Sequence, residues 1–371
     1  MANLQTNYNS CKHELQQGAG VFLDTLARTH AVYSKPNENM AKRAKAKKTT
    51  LKYLWPLLEL KSQREAAYRD TFYCNTQIAK TGNGKTYSKF CKKRWCAVCC
   101  RIRTSVLINQ YKPVLDKLEG KVFVTLTTNL TNNCTNRRRL SATINTYAKH
   151  FALIWNRIKK KHGTTIALKK LEVTYNSGNG LTRTGEYFHP HYHVIMPNDK
   201  GQADMLVSEW LKDFPDASAD AQSIVKADDD SVMELFKYFA KLFDTAKANY
   251  GIINLPYPAE RMDDIFAVCE GRRIIQTYGG RLLPKLDDDF SDEQANEVLS
   301  SEGESSSAEV TSTNASNPDE PVKFYNWNQK AGTWIADDGE MLFDPKDYEY
   351  LWDKHGNEIP QKKYIQPIAQ A

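Results

Sequence analysis

The chain has 371 residues, 41% of them hydrophobic, and its 51 Lys and Arg against 44 Asp and Glu give a formal charge of +7. That length admits more than one domain, and the apolar fraction is that of a globular chain rather than a disordered one. No apolar run approaches the roughly 20 residues of a membrane helix, and Met1-Ala2-Asn3-Leu4-Gln5-Thr6 lacks the basic-then-apolar pattern of a secretory leader. The expectation is a cytoplasmic protein with no membrane partner.

The charge is unevenly placed. Residues 286–320 hold eleven Asp or Glu and no Lys or Arg, so the remainder carries 51 basic against 33 acidic residues. A folded part with that excess favours a polyanion, because neutralising phosphates releases counterions.

In chain order, residues 1–50 form a polar N-terminal arm ending in Lys42-Arg43-Ala44-Lys45-Ala46-Lys47-Lys48. That run is either a flexible arm that contacts DNA backbone or a solvated tail. Residues 51–115 are helical and Cys-rich, beginning with an amphipathic stretch from Leu51 to Tyr68. Of the eight cysteines, Cys91, Cys96, Cys99 and Cys100 crowd together, which suits a metal cluster in a reducing compartment better than disulfides. Cys74, Cys91, Cys96 and Cys99 look like a structural zinc site with Cys96-Ala97-Val98-Cys99 as its knuckle. Cys100 is an alternative to Cys99, and reduced free thiols are the competing reading. Around the cluster stand Lys92, Lys93, Arg94, Arg101 and Arg103, with Trp95 among them. Such a module would grip DNA backbone and stack on a base.

Residues 116–285 alternate strands and helices. Residues 122–127 are rich in β-branched side chains and read as a buried strand. Leu140, Ile144, Tyr147, Phe151, Ile154 and Ile158 recur at helical spacing. Strands follow at 165–174 and 186–196, joined by the turn chemistry of Asn176-Ser177-Gly178-Asn179-Gly180, and so make an antiparallel pair. A helix over 203–214, a strand at 223–226 and a helix from Val232 to about Ala246 complete the region. The fold class expected is α+β, an antiparallel sheet with helices packed on it. Residues 286–320 read as a disordered acidic linker. Residues 321–371 read as a small C-terminal β-unit around Phe324-Tyr325-Asn326-Trp327 and Thr333-Trp334-Ile335.

The chemistry concentrates in two of these segments. On a strand, His189, His191 and His193 of His189-Pro190-His191-Tyr192-His193-Val194 share one face while Tyr192, Val194 and Met196 share the other. His191 and His193 can chelate one divalent ion, with His189 as an outer ligand or a phosphate contact. Glu172, pointing opposite to Leu171 and Val173 on the neighbouring strand, is the third ligand expected. Two nitrogens and an oxygen suit Mn²⁺ or Mg²⁺ and leave positions open for a phosphate oxygen. On the following helix, Val232, Leu235, Phe236, Phe239, Leu242 and Phe243 form an apolar stripe, and Glu234, Tyr238 and Lys241 lie off it. Tyr238 is therefore available as a nucleophile, with the metal and Lys241 favouring its phenolate. Glu234 would deprotonate a water, or else close a capping box with Ser231.

Together these segments resemble the rolling-circle plasmid replication initiators with a single tyrosine, in the HUH endonuclease superfamily. The resemblance rests on Phe123-Val124-Thr125-Leu126-Thr127, the histidine strand and Glu234-x-x-x-Tyr238-x-x-Lys241, in that order. Leu171-Glu172-Val173-Thr174-Tyr175-Asn176 is also similar to the family, and related initiators carry cysteines upstream of the first motif. The resemblance implies an HUH endonuclease domain that nicks single-stranded or hairpin DNA at a plasmid origin. Tyr238 would keep the 5′ phosphate and leave a 3′-OH primer, and a Glu234-activated water would terminate replication. Host helicase and polymerase are the partners implied. Two alternatives share the features: a relaxase or transposase-like strand transferase, in which the tyrosine usually precedes the histidines, and a zinc-bearing DNA-binding regulator without catalysis.

Overall fold

A computed structural model describes residues 37–82, 85–129, 134–163, 165–176, 185–236, 243–248, 251–279, 290–301 and 322–352. The chain opens with α1 (Glu38–Glu59) and α2 (Glu65–Phe72), the short strands β1 (Gln77–Lys80) and β2 (Thr86–Ser88), and α3 (Ala97–Leu115). Next come β3 (Lys121–Leu126), α4 (Arg137–His162), β4 (Ala167–Asn176), β5 (Tyr187–Pro197), α5 (Gln202–Asp213), β6 (Ser223–Lys226) and α6 (Asp229–Phe236). Then follow β7 (Phe243–Ala248), β8 (Gly251–Pro256), α7 (Ala259–Cys269), β9 (Ile275–Tyr278), α8 (Asp292–Ser301), β10 (Lys323–Asn328) and β11 (Thr333–Ala336).

The central sheet runs β6-β3-β5-β4-β9 with every neighbouring pair antiparallel. Its middle strands hold the chemistry because period-2 alternation sends apolar residues one way and polar residues the other. Tyr192, Val194 and Met196 of β5 are buried towards the helices. There α4 lays down the stripe anticipated from its spacing: Leu140, Ile144, Tyr147, Phe151, Ile154 and Ile158 are all buried, joined by Trp155. Each such side chain contributes about 1.5–3 kcal/mol on burial. Asn136 caps the helix by accepting from Arg139 N (3.0 Å), and Gly163 ends it at φ 78°. Trp210 of α5 closes the same layer, its indole donating to Thr127 O at 3.0 Å.

Several expectations need correction. The basic run at 42–48 lies inside α1, neither arm nor tail, with Lys42, Arg43 and Lys47 buried. The cations are partnered: Lys42 pairs with Glu38 (3.1 Å), and Lys47 donates to Cys74 O and Thr76 Oγ1. Within the acidic stretch 286–320, residues 292–301 form α8, and Phe290 and Ala295 are buried beside the cysteine cluster. The aromatic C-terminal strands do not stand alone, because β10 pairs with β1 in a sheet of order β11-β10-β1-β2. Trp334 there is fully buried and donates to Asn75 O at 3.0 Å. Finally, the helix expected from Val232 to about Ala246 does not extend that far: residues 243–248 are β7, paired with β8.

The first helices and the central domain share one core. Asp263 of α7, 3% exposed, accepts from Arg64 Nε and Nη2 (2.9 and 2.6 Å), Tyr68 OH (2.6 Å) and Arg137 Nη2 (2.9 Å). That carboxylate ties α7 to α2 and to the start of α4. Burial alone would raise its pKa, and the hydrogen bonds from Arg64, Tyr68 and Ser62 hold it below the usual range instead.

Candidate functional site

On the face of the sheet opposite α4, three strands present a grid of polar side chains. Register sets Glu172 across from His191, Lys170 across from His193, and Thr125 across from His193 on the other side. Glu172 Oε1 lies 3.6 Å from His191 Nε2, and Glu172 Oε2 lies 3.6 Å from His193 Nε2. The donor atoms of these three residues all fall within 4.8 Å of one another. Alternation and strand pairing therefore bring these three residues together on one face of the sheet.

The outer nitrogens are spoken for. His191 Nδ1 donates to the carbonyl of His189 (3.2 Å), which turns Nε2 towards Glu172. His193 Nδ1 meets Thr125 Oγ1 at 3.3 Å, and its ring stacks on Phe123 with centroids 5.0 Å apart. Such second contacts orient imidazoles for a cation. Burial pushes the pKa of His193 down, which keeps the ring available as a neutral donor. His189 takes no place in the trio: its Nε2 bonds Thr127 Oγ1, and burial beside His191 lowers its pKa to about 4. Metal bonds of about 2.1 Å are compatible with the observed donor spacings after small adjustments. This set of two imidazoles and one carboxylate fits a divalent ion with open positions, without selecting Mn²⁺ or Mg²⁺.

Lys170 is the residue that the motifs did not single out. It is fully buried, with Nζ 3.1 Å from Glu172 Oε2 and 2.9 Å from the carbonyl of Glu234 in α6. Burial alone would raise the Glu172 pKa; the Lys170 ammonium and the two imidazoles hold it well below the ordinary carboxylate range. The signal was available, since residues 170 and 172 share a strand face.

Glu234 sits in α6, and the capping-box reading of it is corrected. Asp228 caps that helix instead, its Oδ1 accepting from Ser231 N (2.8 Å) and Ser231 Oγ (2.7 Å). From the other side, Thr104 of α3 donates to the carbonyl of Phe236 at 2.9 Å, and Tyr111 stacks on Phe236. Tyr238 and Lys241 lie outside the described residues.

A second cluster gathers Cys74, Cys91, Cys96 and Cys99, whose sulfurs fall within 4.8 Å of one another. Cys74 to Cys99, Cys91 to Cys99 and Cys74 to Cys96 measure 3.5, 3.6 and 3.6 Å. Tetrahedral Zn–S bonds of about 2.3 Å would set sulfurs about 3.8 Å apart, so the four fit such an ion closely. Burial pushes the thiols of Cys96 and Cys99 up when no cation is present. Cys100 is no substitute for Cys99, as its thiol donates to Arg94 O. Nor is Trp95 free to stack on a base: it is buried against Tyr68 and Phe266, with its indole on Thr71 Oγ1. Much of the neighbouring charge is internal too. Arg101 is buried, Arg94 donates to Arg272 O, Arg103 donates to Lys92 O, and Lys92 pairs with Asp292.

No helix among the described residues is long and apolar enough to cross a membrane. No curated protein and no solved structure matches the chain. The family model described as replication protein matches residues 85–334, a span that takes in the cysteine knuckle, the histidine strand and the C-terminal pairing strands. That match covers well over half of the sequence, and the chain belongs to this family of plasmid rolling-circle replication initiators.

Proposed function

We propose that this initiator opens plasmid replication by nicking one DNA strand at the origin, with Tyr238 as nucleophile and the Glu172, His191 and His193 site as its metal centre. The observation that carries the reading is the convergence of two imidazole nitrogens and one buried carboxylate on a polar sheet face. When bound, a divalent ion there supplies Lewis-acid polarisation of the scissile phosphate.

The chain's own groups do the rest. The Tyr238 oxygen attacks phosphorus, a phosphotyrosyl bond to the 5′ side forms, and the bond to the 3′ oxygen breaks. The phenol proton is lost to solvent or a nearby base, with Lys241 favouring the phenolate, and the departing oxygen is protonated to the 3′-OH primer. Lys170 holds Glu172 in place and fixes the backbone of α6 beside it. Glu234 activates water for the terminating cut. The cysteine cluster binds structural zinc. The strand-transferase alternative shares this chemistry, and the family membership favours replication over it.

Supercoiled plasmid carrying the cognate origin, incubated with the protein and Mn²⁺, tests the reading. We expect nicked circles and a covalent protein–DNA adduct, both lost in Tyr238→Phe while DNA binding persists. Glu234→Ala should still initiate but fail to release monomer circles. A Tyr238→Phe variant that nicks like the wild type would assign the attack to another residue, and binding without nicking by the wild type would favour the regulator.

A further inference from the structure

Strand β4 sends consecutive lysines to opposite faces of the central sheet. Lys170 serves the metal face, and Lys169 enters the helix-covered side. Lys169 is 2% exposed, with Nζ 4.2 Å from the ring centroid of Tyr192, 4.3 Å from Phe151 and 5.5 Å from Tyr278. Among the described residues no hydrogen-bond or ion-pair partner meets this amine. Aromatic faces stabilise a cation electrostatically, but they leave the N–H groups without oxygen acceptors, a costly state for a buried charge.

Lys169 also lines a partly open cavity of about 200 Å³ between α4, β4, β5, β9 and the segment before β9. Arg272, Arg273 and Gln276 also line it, and no acidic residue does among the described ones. Among the described residues Arg272 is held by neutral groups: Nε donates to Val268 O (2.6 Å), Nη1 to Asn145 Oδ1 (2.7 Å) and Nη2 to Ser141 Oγ (2.9 Å). Those contacts fix the guanidinium without neutralising it. Arg273 is exposed at the rim.

We propose that this cavity is a binding site for a phosphate-class oxyanion, with Lys169 at its floor and Arg272 and Arg273 at its mouth. Three cations of two kinds around one partly open volume match a compact, multiply charged oxygen acceptor. The size agrees: the cavity holds about six waters by their liquid share, enough for phosphate or pyrophosphate. It is smaller than the roughly 300 Å³ at which sites for larger organic ligands begin. Burial pushes the Lys169 amine down to about 7, and an oxyanion in contact would restore its charged form. The site lies across the sheet from the metal centre, so it stands whether or not the nicking reading holds. The oxyanion comes either free from solution or as the terminal phosphate of a DNA strand.

The test titrates sodium phosphate into the full chain in an oxyanion-free buffer, following thermal denaturation and heat of binding, with sodium chloride at matched ionic strength as control. We expect saturable stabilisation by phosphate alone, at least tenfold weaker binding in Lys169→Met and several-fold weaker binding in Arg273→Ala. Arg273 is on the surface, so its variant keeps the inference testable should Lys169→Met fail to fold. A short 5′-phosphorylated oligonucleotide that displaces phosphate from the wild type, where its unphosphorylated twin does not, assigns the strand terminus; failure of both to displace assigns the free anion. A phosphate response matched by chloride, or one unchanged in both variants, overturns the proposal.

Discussion

At the scale of single residues, two neighbouring lysines do opposite work. Lys170 is completely buried against the Glu172 carboxylate. Removing one partner of such a pair strands the other charge, at a cost of about 3–5 kcal/mol. Lys170→Met should therefore melt at markedly lower temperature than the wild type, and Mn²⁺ should restore more of the loss than it adds to the wild type, since a cation then takes over the carboxylate. Equal Mn²⁺ responses in the two proteins would deny Lys170 this role. Lys169 predicts a pH effect with a definite sign. Its folded value is near 7 and its ordinary value is 10.5, so between these the unfolded chain holds more protons. Stability contributed by this site rises with pH over that interval. Melting curves from about pH 7 to 10 should show a rise in the wild type that Lys169→Met lacks; parallel curves would mean the amine titrates normally.

At the scale of elements, α3 is the lever that joins the two clusters. Its N-terminus carries Cys99 of the cysteine site, and further along Thr104 and Tyr111 hold the end of α6. Zinc loss should thus be felt at α6. In Cys99→Ser, or after chelation, zinc content falls and amide exchange over 229–236 accelerates; unchanged exchange there would uncouple the clusters. Which elements were legible follows from the range of their causes. The α4 stripe and the histidine strand are local periodicities, and both form as read. Lys47 of the basic run is not legible as buried, because its partners Cys74, Thr76 and Trp327 come from other segments. The helix written through Ala246 followed apolar spacing that a strand pairing with residues 251–256 overrides at 243–248.

At the scale of the whole molecule, chain order misleads where sheets are built from distant strands. Ile78 of β1 pairs with Tyr325 of β10, so the region that reads as a separate C-terminal unit completes the sheet beside the cysteines. Pairing over such a separation leaves no mark on either segment alone. The candidate site was legible because its three donors sit on adjacent strands, where alternation and register bring them to one face. Lys170 escaped only because a buried lysine is rare enough to be read as surface. Those donors and Tyr238 together make the central claim: one phosphodiester is held by the metal face and attacked by one phenol. Mass spectrometry of the peptides left after Mn²⁺-dependent cleavage of origin DNA tests it most directly. We expect a nucleotide 5′-phosphate on Tyr238 in the wild type and none anywhere in His191→Ala/His193→Ala. A phosphonucleotide on a different residue, or undiminished adduct in the double variant, would contradict it.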